Sequence, residues 1–203
     1  MATVLETFTK DPVAFMKKNL VLVKCGGPKA IIEVTLNLST QHTAKKGGVG
    51  NIATFELEAK PGGARAYWLP YWGNSAHQMT LGSHANLVFT PTMDGCTFAV
   101  GEQQDGLVKV AHVNYTQEVK GVLSADKTKV DDALTQIYSG PASKKLTPDD
   151  YRDLQDATKG VVQLSTFGVR NGSGDWDFYY QKRLRTGAGK NGFTFELVDV
   201  FPI

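Results

Sequence analysis

Cys96 and His112 are the two residues whose types and spacing could do nucleophilic chemistry. Cys96 opens the run Cys-Thr-Phe-Ala-Val-Gly, and His112 lies within the stretch Leu107 to Tyr115. Strand alternation puts Cys96, Phe98 and Val100 on one face of the first segment, and Val108, Val110, His112 and Asn114 on one face of the second. The connection Gly101-Glu-Gln-Gln-Asp-Gly106 is short, polar and bounded by glycine, which predicts a hairpin. A hairpin symmetric about Gln104 sets Cys96 directly opposite His112, with Cβ atoms roughly 4.5–5.5 Å apart. That is what a thiol nucleophile needs, because a free cysteine titrates near ~8.5 and requires an adjacent imidazole to become a thiolate at neutral pH. The same residues also read as core, with Cys96 a small hydrophobe and His112 a half-buried, hydrogen-bonded histidine. A register slip of one residue would separate them.

A third group should orient the imidazole. A second turn through Met93-Asp94-Gly95 places Thr92 opposite Cys96 and Thr90 one pair further along on the same face, while Asn114 shares the His112 face. Register leaves all three open. Backbone N–H groups around Gly95 and Cys96 are candidates for an oxyanion hole, because glycine allows close approach of the main chain. Asp94 beside the thiol would oppose ionisation if it pointed inward.

The elements that must position these groups are mostly strands. Alternating, β-branched and aromatic segments fall at about 20–25, 29–38, 51–59, 65–72, 85–92, 96–101, 107–115, 161–170, 175–183 and 193–200. Helices are predicted near 11–18, from about Asp126 to Tyr138 with Gly140 as C-cap, and from the Thr147 cap to before Gly160. The polar stretch 116–146 reads as a connection around the middle helix. Glycine-rich turns stand at 47–51, 170–175 and 186–192. Strands, a helical pair and strands again predict an α+β sandwich of two sheets with helices packed at one side or end. The 203 residues suffice for one domain, 1–203, with a core that needs neither disulfide nor metal.

Trp68-Leu-Pro-Tyr71-Trp72, Leu87-Val-Phe-Thr90, Asp94-Gly95-Cys96, the Phe-Ala-Val-Gly run and His112 together resemble the glutamine deamidase toxins typified by Burkholderia lethal factor 1, relatives of the cytotoxic necrotising factor catalytic domain. The resemblance spans residues 68–112 of the 203. It implies a catalytic Cys96, His112 and Thr90, choosing Thr90 over Thr92. It also implies a cleft walled by Trp68, Tyr71 and Trp72, and a sandwich of two mixed sheets flanked by helices. The family's Leu-Ser-Gly-Cys is here Met93-Asp94-Gly95-Cys96, and the loop from Cys to His is longer than in the lethal factor. The implied activity is conversion of a protein glutamine to glutamate, without a cofactor or metal. Transglutamination through the same thioester, or a noncatalytic module binding protein or carbohydrate, are the alternatives. Implied targets are a host translation-initiation RNA helicase or a small GTPase.

Other signals read more plainly. Cys25 has no histidine by any spacing, although a disulfide to Cys96 is open. His42 reads as solvated loop, and His77 and His84 as surface residues rather than metal ligands. Gly187-Ala-Gly-Lys-Asn-Gly192 formally matches a dinucleotide motif but has no helix after it to receive a pyrophosphate, so it is a hairpin turn. Asp175-Trp176-Asp177 is placed at the cleft rim. Twenty-two basic against 20 acidic residues, a net charge of +2 and scattered Lys and Arg give no electrostatic support for nucleic acid or an anionic membrane. The N-terminus has no signal peptide or apolar anchor, and two cysteines fit a reducing compartment, so the expectation is a monomer in the producer's cytoplasm or delivered to a host cytosol by a signal-independent route.

Overall fold

The computed structural model describes residues 2–47, 50–119, 122–152, 160–189 and 192–203. Thr3 starts helix α1 (Val4–Lys10) with a reciprocal cap: its hydroxyl accepts from the Glu6 N–H at 3.1 Å, and the Glu6 carboxylate accepts from the Thr3 N–H at 2.7 Å. Asp11 ends α1 and caps α2 (Pro12–Lys18) through the Ala14 N–H at 2.8 Å; α2 is the helix predicted near 11–18, and α1 precedes it as a helix that the pattern does not predict.

The larger sheet is mixed and runs, in spatial order, through β1 (Leu20–Val23), β5 (Thr54–Ala59), β2 (Ala30–Leu38), β6 (Ala64–Trp68), β8 (Leu87–Phe89), β14 (Val161–Arg170), β15 (Trp176–Gly189), β16 (Gly192–Pro202), β3 (Thr43–Lys46) and β4 (Gly50–Ile52). It curls nearly into a barrel, because Leu20 and Leu22 from one end share a core cluster with Ala44, Ile52 and Phe195 from the other. Inside the curl a polar seam ties β1 to β15 and β14. Gln181 donates to the carbonyls of Met16 (2.6 Å) and Asn19 (2.7 Å) and accepts from the Val21 N–H (2.9 Å). Ser165 donates to the Val21 carbonyl at 2.8 Å, and the buried Arg183 donates to the Ser165 hydroxyl at 2.7 Å.

A smaller sheet, antiparallel throughout, has the order β13 (Lys144–Leu146), β9 (Thr97–Gln104), β10 (Leu107–Asn114), β7 (Ser75–Leu81). Alternation decides its two faces as the sequence predicts. Phe98, Val100, Val108 and Val110 share a core with Val88, Leu164, Phe178 and Leu184 of the larger sheet. Ala99, Ala111 and Val113 point the other way and take Val130 and Leu134 of α3 (Lys127–Tyr138). Gln103 pins the strand end across the core, accepting from the Trp176 N–H at 2.6 Å and donating to its carbonyl at 2.9 Å. The described residues are therefore β-rich α+β, with a mixed ten-stranded sheet, an antiparallel four-stranded sheet and a separate two-stranded one, where the resemblance implied two mixed sheets.

The polar 116–146 stretch holds the paired strands β11 (Thr116–Val119) and β12 (Val122–Ala125), then α3 and β13. Helix α3 starts at the Asp126 cap as predicted, but its C-cap is Ser139 in the left-handed region (φ 56), one residue before Gly140. Helix α4 (Pro148–Tyr151) begins at the Thr147 cap, and the remainder of the predicted helix lies outside the described residues. Among the described residues no helix is long and apolar enough to cross a membrane.

Candidate functional site

The β9–β10 hairpin turns on Asp105 and Gly106, both at positive φ (52 and 73), the backbone that a two-residue Asp-Gly turn favours. This moves the symmetry centre off Gln104, and a bulge between Val108 and Val110 shifts the register again. His112 consequently pairs with Phe98, not with Cys96. Both shifts together change the pairing by two residues, which preserves the side on which each residue lies. The paired register ends at Thr97, and alternation carried one residue further keeps Cys96 on the His112 side of the strand, diagonal to it, an arrangement with Cα separations of roughly 7–8 Å.

The second predicted turn does not form a hairpin. Thr90 follows β8 in the larger sheet, and the chain then runs along β14, where Met93 bridges Leu164, before entering the smaller sheet at Thr97. Thr90 thus reaches His112 from the opposite sheet, and its Oγ1 hydrogen-bonds the imidazole Nδ1. Thr92 is engaged elsewhere, accepting from Arg183 Nη2 at 3.1 Å. Of the three orienting candidates, Thr90 touches the histidine. Asn114 lies beside Cys96 in the cavity lining, two residues along from His112 on the same face.

Cys96 lines a cavity of about 190 Å³ together with Tyr71, Gly95, Asn114, Ser124 and Arg152. The ring of Tyr71 stacks on His112 with centroids 5.1 Å apart and planes at 14°, so one aromatic side both closes over the imidazole and walls the cavity. Trp72 is exposed and meets His77 edge-on, and Trp68 lies in a different core, against α1 and α2, with its indole N–H on the Gly27 carbonyl at 3.1 Å. Trp176 is core as well, packed edge-on against Tyr67 rather than at the rim. Of the three predicted wall residues, only Tyr71 lines the cavity.

Burial pushes the Cys96 thiol up to about 12; Asp94 adds to the rise, while Arg152 and the Gly95 N–H oppose it. Burial, and then the positive field of His77, pulls His112 down to about 3. The resting pair is therefore a neutral thiol and a neutral imidazole. With Nδ1 engaged by Thr90, the His112 Nε2 is buried and has no partner among the described residues. In the tautomer whose Nδ1–H donates to the Thr90 hydroxyl, it is the nitrogen that can accept a proton.

His77, expected at the surface, is half-buried on β7 directly across from His112. His42 is buried rather than solvated: its Nδ1 accepts from the Phe193 N–H at 3.0 Å, and its ring stacks on Phe193. Cys25 donates to the Leu57 carbonyl at 3.6 Å, its thiol pushed up to about 11 chiefly by burial. Both cysteines are free. Arg152, which no motif flagged, reaches the Cys96 cavity from the end of α4. Among the described residues no three His, Cys, Asp or Glu side chains cluster as a metal site.

The cavity continues into a groove of about 970 Å³ that shares Ser124, Ala125 and Arg152 with it and is lined by the start of α3 and by residues 147–150. The chain matches no protein-family model and no curated protein sequence.

Proposed function

We propose that this chain is a cysteine-dependent protein glutamine deamidase of the lethal-factor type, built as a sandwich in which the curled and four-stranded sheets face one another with Cys96 at their border. The observation that carries the reading is the bond from Thr90 of one sheet to His112 of the other, on the side of the sheet where Cys96 opens to a cavity. Thr90 engages one imidazole nitrogen and leaves the other free for the thiol proton. The cavity is of side-chain size, and the groove beyond it is of the size that a polypeptide flanking a glutamine would occupy.

In this mechanism a glutamine side chain enters the cavity, and His112 Nε2 takes the Cys96 proton as the sulfur attacks the carboxamide carbon. The carbonyl π pair moves to oxygen, stabilised by backbone N–H groups at Gly95 and Cys96. The tetrahedral intermediate collapses; the C–N bond breaks and ammonia leaves with the proton held by His112. Water then attacks the thioester with His112 as base, the C–S bond breaks, and the proton returns to sulfur, giving glutamate. An amine in place of water would give transglutamination. No cofactor is needed. By resemblance, a host translation-initiation helicase or small GTPase is the candidate target, met in a host cytosol.

A second reading, a noncatalytic binding module, draws support from the neutral resting pair and from the diagonal pairing of Cys96 with His112. Incubating the protein with host-cell lysate and searching peptides for a glutamine-to-glutamate mass gain separates the two. Deamidation is expected with wild type and not with Cys96→Ser. Gains that appear equally with both would exclude Cys96 as nucleophile.

A further inference from the structure

Arg152 stands where a reacting sulfur and a developing oxyanion would both feel it. Its guanidinium lies over Gly95, so close that a Cβ added there would come within 2.8 Å of Nη2, and Nη2 donates to the Asp94 carbonyl. The side chain lines the Cys96 cavity and also the groove that leads into it. Its Nε is buried and carries no hydrogen bond among the described residues, an unused donor on a side chain that lines the cavity. The neighbouring Tyr151 holds the Cys96 backbone, donating to its carbonyl at 2.8 Å, so the last residue of a short helix fixes the cysteine while its C-cap, Arg152, carries the guanidinium.

We infer that Arg152 is a catalytic residue of this site: its fixed positive charge stabilises the Cys96 thiolate, and its unused N–H binds the carboxamide oxygen as negative charge passes from sulfur to oxygen. The inference rests on the deamidase reading for its second half only, since thiolate stabilisation is a property of the free protein. Through the attack the negative charge moves only the length of a C–S and a C–O bond, so one cation serves both ends. A buried, prepositioned donor of this kind is worth a factor of about 10²–10³ in turnover.

The charged side chains that act on the Cys96 thiol are Asp94 and Arg152, while Tyr71 and Tyr151 stand near enough to feel the sulfur; of these four Arg152 is the one that carries a permanent positive charge. Asp94 raises the thiol and Arg152 lowers it, so the two are opposed at one sulfur. Glycine at position 95 follows from the same packing, because any side chain there would displace the guanidinium.

The test is the rate of Cys96 alkylation by iodoacetamide at fixed pH, with Cys25 replaced by serine to remove the second thiol. Arg152→Gln is expected to slow alkylation by about tenfold, the equivalent of one pKa unit, while Arg152→Lys stays within about threefold of wild type. An unchanged rate in Arg152→Gln, or equal losses in Gln and Lys, would overturn the inference. If Arg152→Gln does not fold by circular dichroism, Asp94→Asn decides: relieved of the opposing carboxylate, Arg152 should speed alkylation, and no acceleration counts against a field acting at this sulfur. Because alkylation uses no protein substrate, a chain that passes this test but releases no ammonia from any protein refutes the deamidase reading and leaves the Arg152–Cys96 coupling standing.

Discussion

Two of the places where this molecule buries polar side chains do so differently. In the seam inside the curled sheet, Gln181 uses its amide completely, with both N–H groups on carbonyls and its oxygen on a backbone N–H, and Ser165 both donates and accepts. At the border with the smaller sheet, His112 is fully buried with one nitrogen bonded and the other empty, and Arg152 keeps an unused Nε. A satisfied buried group specifies structure; an unsatisfied one costs about 1–3 kcal/mol. Arg183 Nε in the seam and Trp176 Nε1 in the core are also unsatisfied among the described residues, and what sets the border apart is the cavity that Cys96 and Arg152 line beside it. The seam holds α2 and β1 against β15, and the border holds donors and acceptors in waiting.

The comparison can be broken most forcefully at Gln181. Gln181→Leu strands two carbonyls and one N–H, each loss costing about 1–3 kcal/mol, so a melting-temperature drop on the order of 10 °C is expected. A drop of only a degree or two would show that the seam is not structural. His112→Gln should be far milder at neutral pH, and its signature is in the pH dependence. Held near 3 in the fold, His112 stays neutral while the unfolded chain takes up a proton below about 6.5, so wild-type stability falls as pH drops from 6.5 toward 3, by up to about 1.4 kcal/mol per unit. Urea titrations at several pH values should show His112→Gln losing less stability over this window; parallel curves would contradict the burial of His112. Smaller still is Gly95→Ala, which should cost about 1 kcal/mol in denaturant titration by displacing the Arg152 guanidinium. Trp72→Ala, exposed and outside the cavity lining, should change stability by less than about 0.5 kcal/mol.

The two regions also differ in how far sequence reading reaches them. Periodicity read β14 to the residue, 161–170, and put Phe98 with Val100 and Val108 with Val110 on one face of each strand, the faces that the structure buries, because burial on one side imposes alternation directly. It missed β7, an edge strand whose Ser-Ala-His-Gln-Met-Thr-Leu reads as polar although His77, Met79 and Leu81 alternate toward one side. It misplaced the hairpin centre because the Asp105-Gly106 signal was averaged into a longer polar loop, and a bulge cannot be seen in composition. The face shared by Cys96 and His112 survived only because the two register shifts left their parity intact. That Thr90 meets His112 from across the core depends on which sheet each strand joins, which local sequence does not encode; the resemblance named Thr90 where register could not choose. Nothing in the sequence marked Gln181, Arg183 or Arg152, since their partners lie far along the chain or on a separate element.

The central claim is that Cys96 and His112 act as a unit despite a neutral resting state. The most direct measurement is the pH dependence of Cys96 alkylation in the wild type and in His112→Ala, both in the Cys25→Ser background. If His112 removes the proton during attack, the wild-type rate should be nearly flat between about pH 6 and 9, and in His112→Ala it should fall and climb about tenfold per pH unit, as for an unassisted thiol. Two parallel rising curves of equal height would mean that the imidazole does nothing for the sulfur.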